Sequence, residues 1–372
     1  MTHTTTKRIF NYQTLLNVFT PIMAITLALA VSGVIIWVFI KENPLSVYKI
    51  VFQTALGSLD GWGNVLYRAT PLIFTGLAVA FAFQCGLFNI GGEGQMVVGG
   101  FAITWFAFTL TGLPSVLLIP LCVLAGAAMG AIWGAIPGYL KAKLGVHEVV
   151  NTIMMNWIAV SLTQYLTMQF KPADSMIPQT MKIAESAKLS RLFAYLNPLG
   201  IAFPKNNHLN TSLFLAVIVT AIVAYALSRT KLGYEIRAVG LNAMAAECAG
   251  ISVAANTVYA MAISGGLAGL TGVSQVMGDT YCFRYDVFAG LGFNGIGVAL
   301  IGKNNPVGVV LGAILFGILE YGGFSASVLS GNKVPREIIM ILKAIILMFV
   351  VVSSELTKRL MDVIQKKKGG QA

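Results

Sequence analysis

The stretch Gly86-Leu-Phe-Asn-Ile-Gly-Gly-Glu-Gly-Gln95 sets one acid and two carboxamides among four glycines, between two long apolar segments. Unwound backbone and polar side chains find no partners in hydrocarbon. Asn89, Glu93 and Gln95 are therefore expected to line a cavity or an interface. A carboxylate embedded at such a break is a functional candidate by default. The competing reading is that Glu93 bonds the backbone at the start of the next helix. Asn151 and Asn156, in Val149-Val-Asn-Thr-Ile-Met-Met-Asn-Trp157, are five apart and share a helix face only loosely. They either hydrogen-bond between helices or line a pathway, and Asn294 is read the same way. Glu320 and Lys343 each fall about six residues from the outer end of an apolar segment, roughly 9 Å deep at 1.5 Å per residue. Equal depth on consecutive antiparallel helices predicts an ion pair with a structural role.

Other chemistries fail on spacing. Gly297-Val-Ala-Leu-Ile-Gly302-Lys303-Asn304 fits G-x-x-x-x-G-K, but Asn304 stands where a Ser or Thr would bind magnesium, and the run ends an apolar segment instead of joining a strand to a helix. His147-Glu148 is followed by Asn at position 151, so no zinc motif forms. No nucleophile triad is readable and no catalytic residue is assigned. The four cysteines, Cys85, Cys122, Cys248 and Cys282, lie where no two share an oxidising compartment. Neither a disulfide nor a metal site is expected. Few carboxylates are embedded, and the three histidines lie in the tail, at the very start of one apolar segment and in a loop. Without the ionisable relays that ion-coupled carriers keep in their spans, the energy for any transport is expected from another subunit.

The elements that must hold these residues are membrane helices. Of 372 residues 56% are hydrophobic and 10% charged, against roughly 25% charged in soluble domains, and the mean hydropathy is +0.78. The net charge of +11 sits mostly in short runs between apolar segments and at both ends, where it marks topology and lipid headgroup contact, with no nucleic-acid partner. Segments near 20–40, 65–84, 94–111, 113–137, 147–169, 210–228, 253–277, 286–302, 306–326 and 337–354 are long enough to cross a bilayer. The expected fold is all-α and polytopic, with about ten membrane helices interrupted by glycine-rich breaks. Lys7 and Arg8 precede a first segment too long for a secretory h-region and without a cleavage site, so it is read as a retained span. Basic clusters in the short loops place both termini in the cytoplasm. This gives a tail over 1–19, a transmembrane domain over 20–354 and a basic tail over 355–372. The 170–209 connection reads as an external cap with little regular structure. In the internal 229–252 connection, Asn242 is placed to cap a short helix that Gly250 ends. Phe88-Asn-Ile-Gly91 and Phe293-Asn-Gly-Ile-Gly297, each in a break, suggest a two-repeat organisation.

These stretches resemble the permease subunits of ATP-binding-cassette importers, in the branch serving ribose-like sugars, branched-chain amino acids and nucleosides. The likeness is greatest to the nucleoside permeases. It is carried by Phe88-Asn-Ile-Gly-Gly-Glu-Gly-Gln95, by Asn151-Thr-Ile-Met-Met-Asn156, by the run from Gly233 to Ile251, and by Gly292-Phe-Asn-Gly-Ile-Gly-Val-Ala-Leu-Ile-Gly302, and it extends over about residues 65 to 350. The resemblance implies a non-catalytic subunit of a bacterial inner membrane. Its implied partners are an ATP-binding-cassette ATPase that carries the ATP and magnesium, a second permease subunit in a heterodimer or homodimer, and a substrate-binding lipoprotein. Gly240, Asn242, Ala245, Ala246, Glu247 and Gly250 would form the helix that couples to the ATPase, and Asn89, Glu93, Gln95, Asn151, Asn156 and Asn294 would line the pathway. A sugar or branched-chain amino-acid permease, or a stand-alone secondary transporter, remains the alternative at this point.

Overall fold

A computed structural model describes residues 23, 26–200, 202–331, 334–335, 337–338, 340–349 and 352. The tails over 1–19 and 355–372, and the two ends of the apolar series at 20–22, 24–25 and 353–354, lie outside the described residues. Among the described residues the chain is all-helical, with only an isolated bridge between Arg191 and Asn210. The described residues form two compact units, residues 56–317 and, separately, those up to 55 together with those from 318 onward.

The larger unit is built on α3 (Leu59–Gln84) and α4 (Gly92–Thr109). From Ala69 to Ala82 every residue of α3 is buried, and so is every residue of α4 from Gly92 to Thr104. A helix that is apolar all round belongs inside the protein. Around this pair stand α5 (Ser115–Leu144), α6 (Glu148–Gln169), α7 (Ser212–Arg229) and α10 (Val253–Gly269), which continues as a π-helix over Val273–Thr280. Val116, Leu124, Trp157, Ile158, Phe214 and Ile222 lie exposed on α5, α6 and α7, as expected of faces that meet lipid. Between α7 and α10 lie α8 (Lys231–Leu241) and the six-residue α9 (Ala243–Cys248). α11 (Leu291–Ile301) and the first half of α12 (Pro306–Leu329) complete the unit.

One contact sets how closely these helices approach. Gly126, Gly130, Gly134 and Gly138 recur every fourth residue on one face of α5, opposite Gly265 and Gly269 of α10. A Cβ on Gly130 would lie 2.3 Å from the Gly265 carbonyl oxygen, and one on Gly269 would lie 2.2 Å from that of Gly126. α4 joins the same crossing, where a Cβ on Gly99 would lie 2.5 Å from the Gly269 Cα. Small residues let backbones touch in a membrane, where no hydrophobic force draws helices together.

Among the described residues, five helices are long and apolar enough to cross a bilayer: α3, α5, α7, α10 with its π-helical extension, and α12; a sixth span arises if the bent pair below counts as one. α4 and α6 are diluted by residues such as Glu93, Gln95, Asn151 and Asn156. The segment read as a span over 286–302 is shorter than expected, because α11 has 11 residues and covers roughly 16 Å. Gly290, at φ +82°, stands as its N-cap in the left-handed region. The 170–209 connection is a cap with a 3-10 turn at Glu185–Ala187 and a helical turn at Phe193–Leu196. Ile183 N–H donates to Tyr281 O, Leu189 N–H to Met277 O and Ala184 N–H to Ala107 O.

In the smaller unit, α1 (Thr26–Ile40) and α2 (Pro44–Leu56) meet at 116°. Residues 44–56 fall between the expected spans, yet Val47, Val51 and Ala55 form a buried stripe at helical spacing. The Tyr48 hydroxyl donates to Leu29 O at 2.7 Å. Lys343 Nζ, on α13 (Met340–Phe349), lies 3.5 Å from Glu320 Oε2.

Substituting Gly130 by Val forces α5 off α10. The expected cost is about 1–3 kcal/mol or more, read as a lowered midpoint of thermal unfolding in detergent, while Gly112, whose Cβ would meet nothing, tolerates Ala.

Candidate functional site

The break between α3 and α4 starts with backbone bonds from Gly86 N–H to Phe83 O and from Leu87 N–H to Ala82 O, and side chains tie it to its neighbours. Gly86 turns the chain at φ +72°, and Leu87 and Asn89 after it are buried. Asn89 and Gln95 exchange a reciprocal pair of amide bonds: Asn89 Nδ2 donates to Gln95 Oε1 at 2.9 Å, and Gln95 Nε2 donates to Asn89 Oδ1 at 3.2 Å. Asn89 Nδ2 also donates to Ser264 Oγ on α10, whose hydroxyl donates to Ala78 O on α3. Asn89 Oδ1 accepts the Gly91 N–H at 2.9 Å. From α6, Asn156 accepts the Gly94 N–H at 2.8 Å and donates to Ile90 O at 3.0 Å. One carboxamide thus satisfies a donor and an acceptor that the break leaves without helical partners.

Glu93 reaches the other break. Its Oε1 accepts the Gly290 N–H at 2.7 Å and its Oε2 accepts the Gly292 N–H at 2.9 Å. The first turns of α4 and α11 therefore meet, and a Cβ on Gly292 would lie 2.4 Å from Glu93 N. A carboxylate there offsets the partial positive charge of helix N-termini. Asn89, Glu93, Gln95 and Asn156 are no more than 7% exposed. Of the other residues singled out in the sequence, Asn151 is half-buried one turn nearer the start of α6, and its Nδ2 has no hydrogen-bond partner. Asn294 is half-buried on α11.

The second assembly is α8 with α9. The Thr230 hydroxyl accepts the Gly233 N–H at the start of α8, and Asn242 Oδ1 accepts the Ala245 N–H at 3.0 Å to cap α9. At the other end Gly250, at φ +80°, donates to Glu247 O while Ile251 N–H donates to Ala246 O. This is the Schellman pattern of paired bonds. Ala246 alone is buried on α9; Leu241 and Met244 beside it are 88% and 77% exposed. A cleft of about 530 Å³ between the ends of α5, α9 and α10 is lined by Lys141, Glu247, Gly250, Ser252 and Thr257.

Several contacts escaped sequence reading. Ser264 gave no signal beyond being a small polar residue in a glycine-rich run. Asn256 Nδ2 donates to Glu235 Oε2 and ties α10 to α8. On the side of the 170–209 cap, Tyr67 donates to Asp279 Oδ2 at 2.5 Å, and His208 Nδ1 lies 2.6 Å from Asp279 Oδ1. In the same region burial pushes the Cys282 thiol above the usual thiol range, while Asp286 raises the pKa of Arg284 further.

The family of branched-chain amino acid transport system permease components matches residues 61–351, a range that spans both breaks and both capped helices. The chain belongs to this permease family. It is a multi-pass membrane protein. The guanosine ABC transporter permease protein NupP of Bacillus subtilis is 39% identical, over 93% of this chain and 96% of its own length. The glucose ABC transporter permease protein TsgB13 of Haloferax volcanii is 36% identical, over 91% and 88%. The nucleoside ABC transporter permease protein NupB of Lactococcus lactis is 35% identical, over 90% and 91%. No solved structure matches.

Replacing Asn156 by Ala leaves the Gly94 N–H and the Ile90 carbonyl unsatisfied in a buried site, at a cost of about 1–3 kcal/mol for each group. The expected result is a clear fall in the unfolding midpoint in detergent. Asn156→Asp, which keeps only the acceptor, falls between wild type and the alanine variant.

Proposed function

We propose that this chain is the permease subunit of an ATP-driven nucleoside importer in the bacterial inner membrane. The observation that carries this reading is the pair of relatives named for guanosine and nucleosides, each aligned over at least 90% of this chain. The ligand arrives from an extracellular lipoprotein, and a second permease, identical or different, completes the pathway. An ATP-binding-cassette ATPase holds ATP and magnesium and grips α9 through Asn242, Ala245, Glu247 and the turn at Gly250, with Gly240 entering from α8. The doubly capped helix, its exposed Met244 and the exposed Leu241 at the end of α8 support this role. This chain binds no cofactor of its own.

The chain crosses the membrane about ten times with both termini in the cytoplasm. α3, its break and α4 form one half of a two-repeat organisation, and α10, its break and α11 form the other. Asn151, with its unpartnered amide, and Asn294 face the solute, Asn89, Gln95 and Asn156 form the polar floor of the pathway, and Glu93, its carboxylate taken up by Gly290 and Gly292, anchors that floor to α11. Uncharged donors and acceptors suit ribose hydroxyls and base edges. The glucose permease relative at 36% identity supports a second reading, in which the solute is a sugar.

Uptake of labelled guanosine, uridine, glucose and leucine by the reconstituted complex, with and without ATP, tests this. ATP-dependent uptake of the nucleosides is expected; uptake of glucose alone moves the chain to the sugar reading, and uptake by the isolated chain without ATP defeats the coupling. Topology has its own check in thiol labelling. Exposed Cys248 is expected to react with an impermeant maleimide in inside-out vesicles and not in intact cells. Buried Cys282, its thiol shifted upward, has little thiolate at neutral pH and reacts slowly from either side, faster as pH rises.

A further inference from the structure

The segment from Gln84 to Glu93 touches three things that no sequence motif connects. At its start it meets α8: a Cβ on Gly240 would lie 2.1 Å from Gln84 O, and one on Gly86 would lie 3.4 Å from the Gly240 Cα. These are contacts of backbone on backbone, with no flexible side chain between to absorb a displacement. Gly240 precedes by two residues Asn242, the cap of α9. The same segment holds α11 at both ends. Gln84 Nε2 donates to Asn304 O at 3.0 Å, in the turn that follows α11. Glu93 binds the Gly290 and Gly292 N–H groups at the start of α11. Between those two grips the segment is stiffened by the Asn89–Gln95 amide pair and by the two bonds from Asn156.

We propose that residues 84–93 act as a yoke that carries the displacement of α9 to α11 during transport, with Glu93 and Gln84 as positioning residues. The proposal rests on the coupling role assigned to α9 above. Glu93 acts mechanically, because its carboxylate is occupied by two backbone donors; it moves α11 and does not bind solute. Packed elements of this kind shift between discrete arrangements instead of deforming continuously. A link made of two charge-assisted hydrogen bonds at one end and a single neutral one at the other is strong enough to move a helix of 11 residues. α11 then follows the ATPase without touching it.

The test uses the complete reconstituted complex, with uptake and ATP hydrolysis measured on the same proteoliposomes. Glu93→Gln keeps the side chain's shape but removes its charge and turns one acceptor into a donor facing an N–H. Expected is a fall of about tenfold in solute moved per ATP hydrolysed, within the usual range of coupling free energies, with hydrolysis itself within about twofold of wild type. Gly240→Ala, at the opposite end of the yoke, is expected to lower the same ratio. Gln84→Ala, which removes one partly buried bond, does so more weakly and serves if the first two variants fail to assemble. Spin labels on Met244 and Phe293, both exposed, add a readout that a merely structural role would not move. Their separation is expected to stay fixed across nucleotide states in wild type and to become nucleotide-dependent in Glu93→Gln. Equal losses of uptake and hydrolysis overturn the proposal, as does a raised KM for solute with an unchanged ratio, or label distances that ignore the substitution. A wild-type complex without ATP-dependent uptake removes the reading beneath it; wild-type coupling with variants that keep the ratio removes the yoke alone.

Discussion

Inside a bilayer a backbone amide has no water to turn to, so every break in a membrane helix must be closed by the protein itself. In this chain two breaks close each other. The carboxylate of Glu93, on the first turn of α4, takes the N–H groups of Gly290 and Gly292 at the first turn of α11. Two helix N-termini would otherwise face one another with like partial charges. The acid makes their approach favourable, and the glycine at 292 makes it sterically open. The burial of α3 and α4, the short reach of α11 and the course of residues 84–93 all follow from that junction.

The junction holds only because its surroundings are held as closely. α4 is pinned from one side by Asn156 of α6 and from the other by the glycine crossing of α5 with α10. Ser264 links the break to both α10 and α3 through a single hydroxyl. Close backbone packing and side-chain hydrogen bonds contribute differently here. The first sets distance, and the second fixes register along helices that hydrocarbon would leave free to slide.

Much of this was legible from residue types. An acid and two amides among glycines at membrane depth identify a break that protein must cover, and that inference needs no structure. The helix between Asn242 and Gly250 was legible for the same reason, since a capping side chain and a left-handed stop are local requirements. What escaped was partner choice. Nothing near Glu93 in the sequence points to Gly290, some two hundred residues away, and nothing at Gln84 points to Asn304. The length of α11 also escaped, because an apolar run records which residues hydrocarbon accepts and not where a glycine at φ +82° lets a helix begin. α2 is hidden for the opposite reason: its buried stripe is too short for a search tuned to whole spans.

The six residues of α9 are too few to be helical in isolation, since nucleation fixes several dihedrals for a single hydrogen bond. Asn242 at one end and the Gly250–Ile251 bonds at the other supply what length does not. The element is therefore folded before anything touches it, and a protein that closes around it has no disorder to freeze out at that point. Contact can then be made and broken many times over while the shape being gripped stays the same.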